Sequence, residues 1–326
     1  MTNSLYGVAA VGNALVDVIS QTDEAFIKDQ HEKFGMEKGA MTLVDQDRAL
    51  QLYDAMGPGT ETSGGSAANT MAGFASFGGK AAFMAKVADD QLGQIFQHDI
   101  RSLGITFTTP TLKGGASTGR CMILVTPDGQ RTMNTFLGAS VELDESDVDE
   151  SIIAAAQITY LEGYLFDRDQ AKAAFVKASE YAHKAGKKVA LTLSDPFCVG
   201  RHRDDFLKLV KGHVDILFAN EEELKSLMQE QDFDKAIAAL SNDLEIAAVT
   251  RSEKGAVLKS KDETVAIPAQ PVSKVVDTTG AGDQFAAGFL YGFTEGMSLQ
   301  RCGELGTMAA SEVISHIGPR PLNETG

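Results

Sequence analysis

Short apolar runs alternate with longer stretches of helical periodicity along most of this 326-residue chain. Apolar runs of about four to eight residues are typical of buried strands, whereas apolar positions that recur every three or four residues predict amphipathic helices. Strands are predicted at 8–11, 82–87, 158–161, 189–193, 214–218 and 246–249, and helices at 91–103, 170–185, 203–210 and 233–240. This alternation predicts an α/β fold with a doubly wound, mostly parallel sheet flanked by helices. Ligands are expected at the C-terminal ends of its strands.

Two segments, 25–57 and 111–136, interrupt the alternation. In the second, two apolar stretches flank Pro127-Asp128-Gly129, which predicts a β-hairpin because glycine adopts the left-handed turn conformation at little cost. Both segments are predicted to form a small β lid, and residues 1–24, 58–110 and 137–326 to form the α/β core. A lid of this kind could close over the site and exclude water. The alternative is that the two segments only cover an edge of the sheet.

A glycine-rich turn, Asp277-Thr278-Thr279-Gly280-Ala281-Gly282-Asp283, carries the clearest chemical signal. Val275 and Val276 are predicted to end a strand, and the apolar spacing from Phe285 onward predicts a helix, so the turn is placed at a helix N-terminus. Backbone N–H groups there lack intrahelical acceptors, and small residues let an anion approach them. Asp283 is then placed to accept a proton from a hydroxyl that attacks phosphorus. Alone, the motif also fits a strain-relieving turn in which Asp283 only caps the helix.

The acidic composition narrows the range of partners. A formal net charge of −16 and a pI near 4.8 argue against nucleic acids and anionic membranes, which favour basic surfaces. Cys121, Cys198 and Cys302 are too widely spaced for a disulfide framework or a zinc motif, so buried reduced thiols are expected. Residues 1–5 contain no basic residue of the kind that opens a leader, and no stretch approaches ~18 apolar residues. A cytoplasmic protein is expected, either a monomer or a homodimer.

Two N-terminal segments provide partners for a polyhydroxyl substrate. They are Gly12-Asn13-Ala14-Leu15-Val16-Asp17 and Gly64-Gly65-Ser66-Ala67-Ala68-Asn69. Asp17 could accept hydrogen bonds from two neighbouring sugar hydroxyls, and Asn69 offers both a donor and an acceptor. Taken alone, Asp17 also fits a turn and Asn69 an ordinary polar helix position.

The glycine-rich segment from Gly64 and the segment from Asp277 to Leu290 occur together, in order and about 200 residues apart. With both motifs present, the chain resembles the ribokinase or PfkB family of carbohydrate kinases, whose fold is an α/β core with a β lid. The resemblance implies that Asp283 is the general base and that Gly280, Ala281 and Gly282 form an anion hole for the transferred phosphoryl group. It also implies a substrate-binding set that consists of Asn13, Asp17, Gly64, Gly65, Ser66 and Asn69.

The resemblance further implies ATP and Mg²⁺ as cofactors. Asn220-Glu221-Glu222-Glu223 resembles the family element that organises magnesium and phosphate, with Glu223 acting through water. Glu221 and Glu222 are expected to belong to a solvated first helical turn.

The segment from Val249 to Gly255 resembles the nucleotide-side loop of the family, so Asn220, Thr250, Arg251 and Gly255 are assigned to the cofactor. Arg251 stands where the family commonly has a small residue, and it could pair with a phosphate or with a surface acid. Asp277 and Thr279 could help to bind a monovalent cation such as K⁺, as in several relatives.

The phosphoryl acceptor is less defined. The segments 161–166 and 194–197 lean towards the adenosine kinase branch, and Tyr164 or Phe136 could stack on a purine. Both aromatics also fit ordinary core packing. The glutamate at position 162 is unlike the sequence of the animal adenosine kinases. Adenosine is therefore expected, a sugar such as ribose, fructose or a ketosugar acid is the alternative, and a non-catalytic nucleoside or sugar sensor is the third hypothesis.

Overall fold

An eight-stranded sheet lies at the centre of the molecule. The computed structural model describes residues 4–240 and 244–322, apart from the side chain of Asp167. From one edge to the other, the strands of this sheet are β13 (Thr264–Ile267), β12 (Ala256–Ser260), β11 (Ile246–Thr250), β10 (Ile216–Asn220), β9 (Lys188–Thr192), β8 (Ala156–Glu162), β1 (Tyr6–Val11) and β5 (Ala81–Met84). The six strands from β11 to β5 are parallel, and β12 and β13 add an antiparallel edge. The six predicted strands are these six parallel strands, although the one predicted at 82–87 ends at Met84.

Helices cover both faces of this sheet. The helices of the described residues are α1 (Glu24–Phe34), α2 (Gln46–Ala55), α3 (Ser66–Ser76), α4 (Gln91–Ser102), α5 (Glu150–Ala155), α6 (Asp169–Lys184), α7 (Pro196–Arg201), α8 (Arg203–His213), α9 (Glu221–Met228), α10 (Phe233–Ala238), α11 (Ala281–Thr294) and α12 (Leu299–Val313). Short 3₁₀ turns occur at Ala139–Glu142, Glu145–Asp147, Gly163–Asp167 and Ser252–Lys254. One apolar layer joins the sheet to α5–α10 and includes Phe175 and Phe206. The other joins it to α3, α4, α11 and α12 and includes Phe96 and Phe289, so the predicted doubly wound fold is confirmed.

A second, five-stranded sheet packs beside the first. Its strands, in order, are β3 (Met41–Leu43), β7 (Arg131–Gly138), β6 (Thr118–Val125), β2 (Leu15–Gln21) and β4 (Gly59–Gly64). The predicted hairpin is present as β6 and β7. The sheet also takes in β2 and β4, which the sequence analysis placed in the core.

The segment predicted as the first half of a β lid is mostly helical, which corrects the prediction for 25–57. It forms α1, the three-residue strand β3 and α2. Asp23 and Asp45 cap the two helices, each accepting a hydrogen bond of 2.8 Å from a backbone N–H three residues on. Capping aspartates of this kind favour helices, and the apolar sides of α1 and α2 cover the outer face of the small sheet. The division into a core and a lid stays a prediction, with the small sheet as its lid.

Val275 and Val276 do not end a strand, which corrects a second prediction. The described segment 268–280 belongs to neither sheet, and the two valine side chains are 52% and 40% exposed. The backbone N–H of Val276 donates instead to the carbonyl of Ile314 at 2.8 Å. Two β-branched residues favour an extended backbone, but no sheet edge lies beside them, so the C-terminal segment becomes their partner.

Two other expectations concern composition. Cys121, Cys198 and Cys302 are buried and form no disulfide, as predicted for reduced thiols. None of the helices in the described ranges combines the length and the apolar character that a bilayer span requires.

Helix α11 carries the glycine-rich motif at its start and packs closely against α12. A Cβ atom at Gly288 would lie 2.4 Å from the carbonyl oxygen of Leu305, and one at Gly292 would lie 3.1 Å from the Cα atom of Cys302. The two helix backbones therefore approach each other through positions that have no side chain. This contact fixes the direction in which α11 presents its N-terminus.

We predict that Gly288→Val destabilises the protein by about 1–3 kcal/mol, because the added side chain forces α11 and α12 apart. Urea unfolding followed by circular dichroism measures the change. The matched control is Gly212→Ala in α8, where a Cβ atom meets nothing within 4 Å and a gain of up to about 1 kcal/mol is expected. Equal stabilities of the two variants would contradict the close-packing account.

Candidate active site

A cavity of about 1020 Å³ lies between the two sheets, at the C-terminal ends of the parallel strands. Residues at the ends of β1, β8, β9, β10 and β11 line it on one side, and residues of β2, β3, β6 and β7 line it on the other. The N-termini of α3 and α11 also open onto this cavity. The site therefore lies where the parallel-sheet prediction places ligands.

The glycine-rich turn forms the N-terminus of α11. Gly280 has a φ of +79°, and a Cβ atom there would lie 2.6 Å from the carbonyl oxygen of Pro319, so only glycine fits. At Gly282 a Cβ atom would enter open space, and Ala281 and Gly282 both line the cavity. The first backbone N–H groups of α11 lack intrahelical acceptors and point the positive end of the helix at the cavity. The residues of the predicted anion site therefore lie together at the cavity, and their role in binding an anion stays a prediction.

Asp283 lies beside this helix end and lines the cavity. The Ser66 hydroxyl donates to its Oδ1 at 2.5 Å, and the Asn69 amide nitrogen donates to its Oδ2 at 3.4 Å. Burial raises the pKa of Asp283 to about 6, the two hydrogen bonds oppose that rise, and the Asp17 carboxylate adds to it. The raised pKa makes this carboxylate more basic than an ordinary aspartate, which suits proton abstraction.

Asp17 faces the cavity from β2. It is 8% exposed and pairs across the small sheet with Cys121, which in turn pairs with Thr135. Among the described residues, none donates a hydrogen bond to its carboxylate. A Cβ atom at Gly64 would lie within 2.5 Å of that carboxylate, so Gly64 makes room for Asp17 although it does not line the cavity itself. Burial raises the pKa of Asp17 to about 6, and the charges of Arg320 and Arg131 oppose the rise.

Glu162 is a site residue to which the sequence analysis gave no role. It ends β8, is 1% exposed and lines the cavity. Its carboxylate accepts from the Asn13 amide nitrogen at 2.7 Å and from the Ala67 backbone N–H at 2.7 Å. Burial raises the pKa of Glu162 to about 7. Its position at the C-terminal end of a predicted parallel strand is the signal that could have found it.

Asn13 and Gly65 are brought together at the same end of the cavity. A Cβ atom at Gly65 would lie 2.4 Å from the Asn13 carbonyl oxygen, and the φ of Gly65 is +103°, so glycine is needed there. The side-chain oxygen of Asn13 is buried and has no hydrogen-bond partner in the part of the chain that is described. A buried acceptor of this kind is costly unless a ligand supplies the donor.

On the nucleotide side, Asn220 and Glu223 form a reciprocal capping box at the start of α9. The Glu223 carboxylate accepts from the Asn220 backbone N–H at 2.9 Å and from its amide nitrogen at 2.7 Å, and the Glu223 backbone N–H donates to the Asn220 side-chain oxygen at 2.8 Å. Both residues line the cavity, and burial raises the pKa of Glu223 to about 7. Thr250 lines the cavity at the end of β11.

Arg251 and Gly255 do not line the cavity. The Arg251 guanidinium contacts Glu221 at 2.8 Å and lies 3.7 Å from the ring centre of Phe233, so of the two alternatives it takes the acid. Gly255 has a φ of +83°, and a Cβ atom there would lie 2.0 Å from the carbonyl oxygen of Ile267. Its role in this structure is to turn the chain into β12. Glu221, expected to be solvated, is engaged by Arg251 and Lys225.

The donors fit magnesium that is held through phosphate and water. No group of three or more histidine, cysteine, aspartate or glutamate side chains suited to a metal ion occurs within residues 4–240 and 244–322. Both oxygens of Glu223 already accept hydrogen bonds, which agrees with contact through water. Mg²⁺ commonly keeps several waters and takes its other ligands from substrate phosphates.

Asp277 and Thr279 meet each other, but the Asp277 carboxylate is already engaged. Its Oδ1 accepts from the Thr279 hydroxyl at 2.8 Å, and its Oδ2 accepts from the Gly318 backbone N–H at 3.0 Å. Nη2 of Arg131, from the tip of the β6–β7 hairpin, lies 2.8 Å from Oδ2. A monovalent cation there stays a prediction, and it would compete with the arginine charge.

The two aromatic residues predicted to stack on a purine differ in their placement. Tyr164 lines the cavity, but Phe136 packs on the opposite face of the small sheet against the apolar layer under α1 and α2. The reason is the two-residue period of a strand, since its neighbours Thr135 and Leu137 face the cavity. A different aromatic residue, Phe197, lines the cavity and is 77% exposed. Ser194 and Asp195 line it beside Phe197.

On an α/β fold, a carboxylate beside an anion site at a helix N-terminus is the arrangement of kinases that transfer a phosphoryl group to a hydroxyl of a small molecule. Comparison with known proteins gives the same class. Residues 50–326 match the model of the pfkB family carbohydrate kinases, and the chain therefore belongs to the PfkB family. Kinases of this family are phosphotransferases that act on hydroxyl groups.

Two similar solved structures have different names. A crystal structure of adenosine kinase from Sinorhizobium meliloti is 52% identical, with a TM-score of 0.89, and the match covers 98% of this chain and 97% of that one. A "probable sugar kinase" from Rhizobium etli CFN 42 is 50% identical, with a TM-score of 0.90, over 98% of this chain and 96% of that one. Adenosine kinase from Saccharomyces cerevisiae is 26% identical over 96% of each chain. These names leave adenosine and a sugar both open as acceptor.

We predict that Asp283→Asn makes the protein more stable at pH 7.5, by roughly 1–3 kcal/mol. The carboxyl has a pKa of 3.8 when unfolded and about 6 when folded. Its contribution to stability is therefore complete below pH 3.8 and is lost as the pH rises through 6. Because a neutral amide avoids this loss, the gain should shrink towards pH 4 in urea unfolding at a series of pH values. Asp262→Asn, at an exposed position, is the control, and a pH-independent gain for Asp283→Asn would rule the account out.

Proposed function

We propose that this PfkB kinase transfers the γ-phosphoryl group of ATP to the primary 5′-hydroxyl of adenosine, giving AMP. The observation that carries the proposal is the composition of the cavity wall. It combines two aromatic side chains, Tyr164 and Phe197, with polar groups that suit ribose hydroxyls and with the carboxylate and helix N-terminus required for transfer. Similarity to the Sinorhizobium meliloti adenosine kinase along 98% of the chain supports the same acceptor.

The transfer chemistry rests on Asp283 and the start of α11. Asp283 accepts the proton of the attacking hydroxyl, so that the oxygen gains nucleophilic character as it approaches phosphorus. The N–H groups of Gly280, Ala281 and Gly282 face the negative charge that develops on the transferred group. Because these donors are fixed by the helix, they need no reorganisation during the reaction.

Substrate orientation rests on groups whose hydrogen-bonding capacity is unused. The Asp17 carboxylate has no donor among the described residues, and the buried Asn13 side-chain oxygen has no partner there. Two neighbouring ribose hydroxyls can supply both missing donors. Asn69 and Ser66 contact Asp283 and line the same wall, which supports a sugar position next to this general base.

Aromatic side chains favour a nucleoside over a plain sugar. A purine presents a flat π-face of the size of a tyrosine or phenylalanine ring, and stacking of such pairs contributes about 0.5–1.5 kcal/mol beyond the burial of area. Phe197 is 77% exposed, so covering it with a base removes apolar surface from water. A sugar that carries no purine leaves the Phe197 ring exposed.

ATP and Mg²⁺ fit the opposite end of the cavity. Asn220, Glu223 and Thr250 line that end, next to the N-terminus of α11. Bound Mg²⁺ would neutralise phosphate charge in a cavity that otherwise holds several carboxylates. A sugar kinase is the second candidate function. It is favoured by Glu162, a buried carboxylate that could accept a further sugar hydroxyl, and by the similarity to the Rhizobium etli protein.

We predict adenosine-selective ATP consumption in the presence of magnesium, because only a nucleoside uses both the aromatic and the polar parts of the wall. The assay compares adenosine, other nucleosides, ribose, fructose and ketosugar acids. Asp283→Asn should lower kcat by ~10²–10⁴-fold while binding survives. Turnover of a sugar alone would move the protein to the sugar kinases, binding without any turnover would favour the sensor, and near-normal turnover by Asp283→Asn would remove the role of that residue.

A second prediction concerns the aromatic wall. Phe197→Ala should raise KM for adenosine about threefold to tenfold, because a stacking contact is lost, while kcat changes little. Steady-state kinetics with adenosine measures the effect. Phe34→Ala is the matched control, since Phe34 is also a half-exposed phenylalanine, at 50%, but it does not line this cavity. The same KM in both variants would count against a stacked base at Phe197.

A further inference from the structure

Arg320, close to the C-terminus, is bonded to the back of the active site. Its Nε donates to the side-chain oxygen of Asn69 at 3.1 Å, its Nη1 donates to Asp99 at 3.1 Å, and its Nη2 donates to the Ser63 hydroxyl at 2.8 Å. Asp99 also accepts from the Ser63 backbone N–H at 2.9 Å. Arg320 does not line the cavity, whereas Asn69 does.

We infer that Arg320 is a positioning residue for phosphoryl transfer: it holds the Asn69 carboxamide in the orientation that directs its amide nitrogen at the catalytic carboxylate of Asp283. The inference rests on the proposed role of Asp283. Arg320 itself touches neither the cavity nor the reacting groups, so it acts through Asn69.

The chemistry of the two side chains explains the selection of one orientation. A carboxamide has a donor end and an acceptor end of almost the same shape, so packing alone does not distinguish its two orientations. A guanidinium group only donates. With Arg320 on one side, the oxygen of Asn69 must face it, and the nitrogen is then left to face Asp283 at 3.4 Å.

The segment that carries Arg320 is hydrogen-bonded to the glycine-rich turn, residues 277–283, and to the first turn of α11. The Gly318 backbone N–H donates to Asp277 at 3.0 Å, and the Gln284 amide nitrogen donates to the Pro319 carbonyl at 2.9 Å. The same Gln284 nitrogen donates to the Asn69 backbone carbonyl at 3.0 Å. These hydrogen bonds therefore fix the position of Arg320 relative to both Asn69 and the start of α11.

The charge of Arg320 is suited to fixing a neighbour in place. Its side chain is 18% exposed and is paired with Asp99, whose side chain is 34% exposed. Hydrogen bonds from a charged donor are shorter and about twice as strong as neutral ones. Burial lowers the pKa of Arg320, and the Asp99 and Asp17 charges oppose this change.

The test is a double-mutant cycle between Arg320→Gln and Asn69→Ala, assayed with the acceptor that gives turnover. In the otherwise unmodified protein, Arg320→Gln should lower kcat about tenfold to a hundredfold, with KM changed less than about threefold. In the Asn69→Ala background the same change should lower kcat less than about twofold, because the contact through which Arg320 acts on Asp283 is gone. Equal losses in the two backgrounds, or no loss in either, would overturn the inference.

The pH profile of kcat distinguishes a positioning role of Arg320 from a general loss of structural order at the active site. The Asn69 hydrogen bond lowers the pKa of Asp283, which is also faced by Ser66 and by the carboxylates of Asp17, Glu162 and Glu223. Arg320→Gln should therefore move the acid limb of kcat to higher pH, and only when Asn69 is present. Arg301→Gln on α12, an exposed arginine, should leave kcat, KM and the limb unchanged.

Two further measurements keep the test decisive. If Arg320→Gln does not fold, Asp99→Asn replaces it, since this change removes the acid that holds the guanidinium and should give a smaller loss of the same kind. The side-chain amide resonance of Asn69, assigned by its disappearance in Asn69→Ala, should shift with the ionisation of Asp283 in the unmodified protein and not in the Arg320 variant. A shift retained in that variant would overturn the inference even if no acceptor is turned over, an outcome that would separately remove the proposed function.

Discussion

The burial of several carboxylates in one cavity is the constraint on which the rest of the structure depends. Asp17, Glu162, Glu223 and Asp283 all have raised pKa values, and burial is the first cause in each case. Such groups are tolerated only where donors surround them. The fold supplies donors to three of the four. The first turn of α3 serves Glu162 and Asp283, and Asn220 before α9 serves Glu223, whereas no described residue donates to Asp17. Helix N-termini at the cavity also give a protein of net charge −16 a local region that favours an anion.

The groups proposed for the two halves of the reaction lie on different sheets. Asp17, which suits the acceptor hydroxyls, belongs to the small sheet, whereas Asp283 and the anion site follow the large one. Arg131 connects them through its contact with Asp277 at 2.8 Å, although neither of its terminal nitrogens completes a hydrogen bond with the described residues. Charge attraction without directional bonding holds the hairpin near the core and tolerates small movements. The position of the small sheet is therefore coupled to the catalytic loop.

Sequence patterns predicted the parts of this molecule that depend on local chemistry. The six parallel strands were readable because buried strands are continuous apolar runs. The start of α11 was readable because only glycine fits at Gly280. Phe136 was misplaced because a one-residue change of register moves a side chain to the other face of a strand. Glu162 and Arg320 were missed for a different reason. Their contacts with Asn13 and Asn69 lie more than 140 residues away along the chain and are encoded by no local spacing, and only Glu162 had a local signal, its position at the end of a predicted strand.

Under the proposed function, the acceptor is selected by residues outside the catalytic centre. Asp283, the N-terminus of α11 and Asp17 are proposed to recognise a hydroxyl, a phosphoryl group and a diol, and these features are common to nucleosides and sugars. A fold with such a centre can therefore serve different acceptors, which is consistent with the different names of two relatives of 52% and 50% identity. Discrimination must come from groups that the shared part of the substrate does not reach. Tyr164 and Phe197 are such groups at the cavity wall. Their flat faces are better covered by a purine ring than left in contact with water.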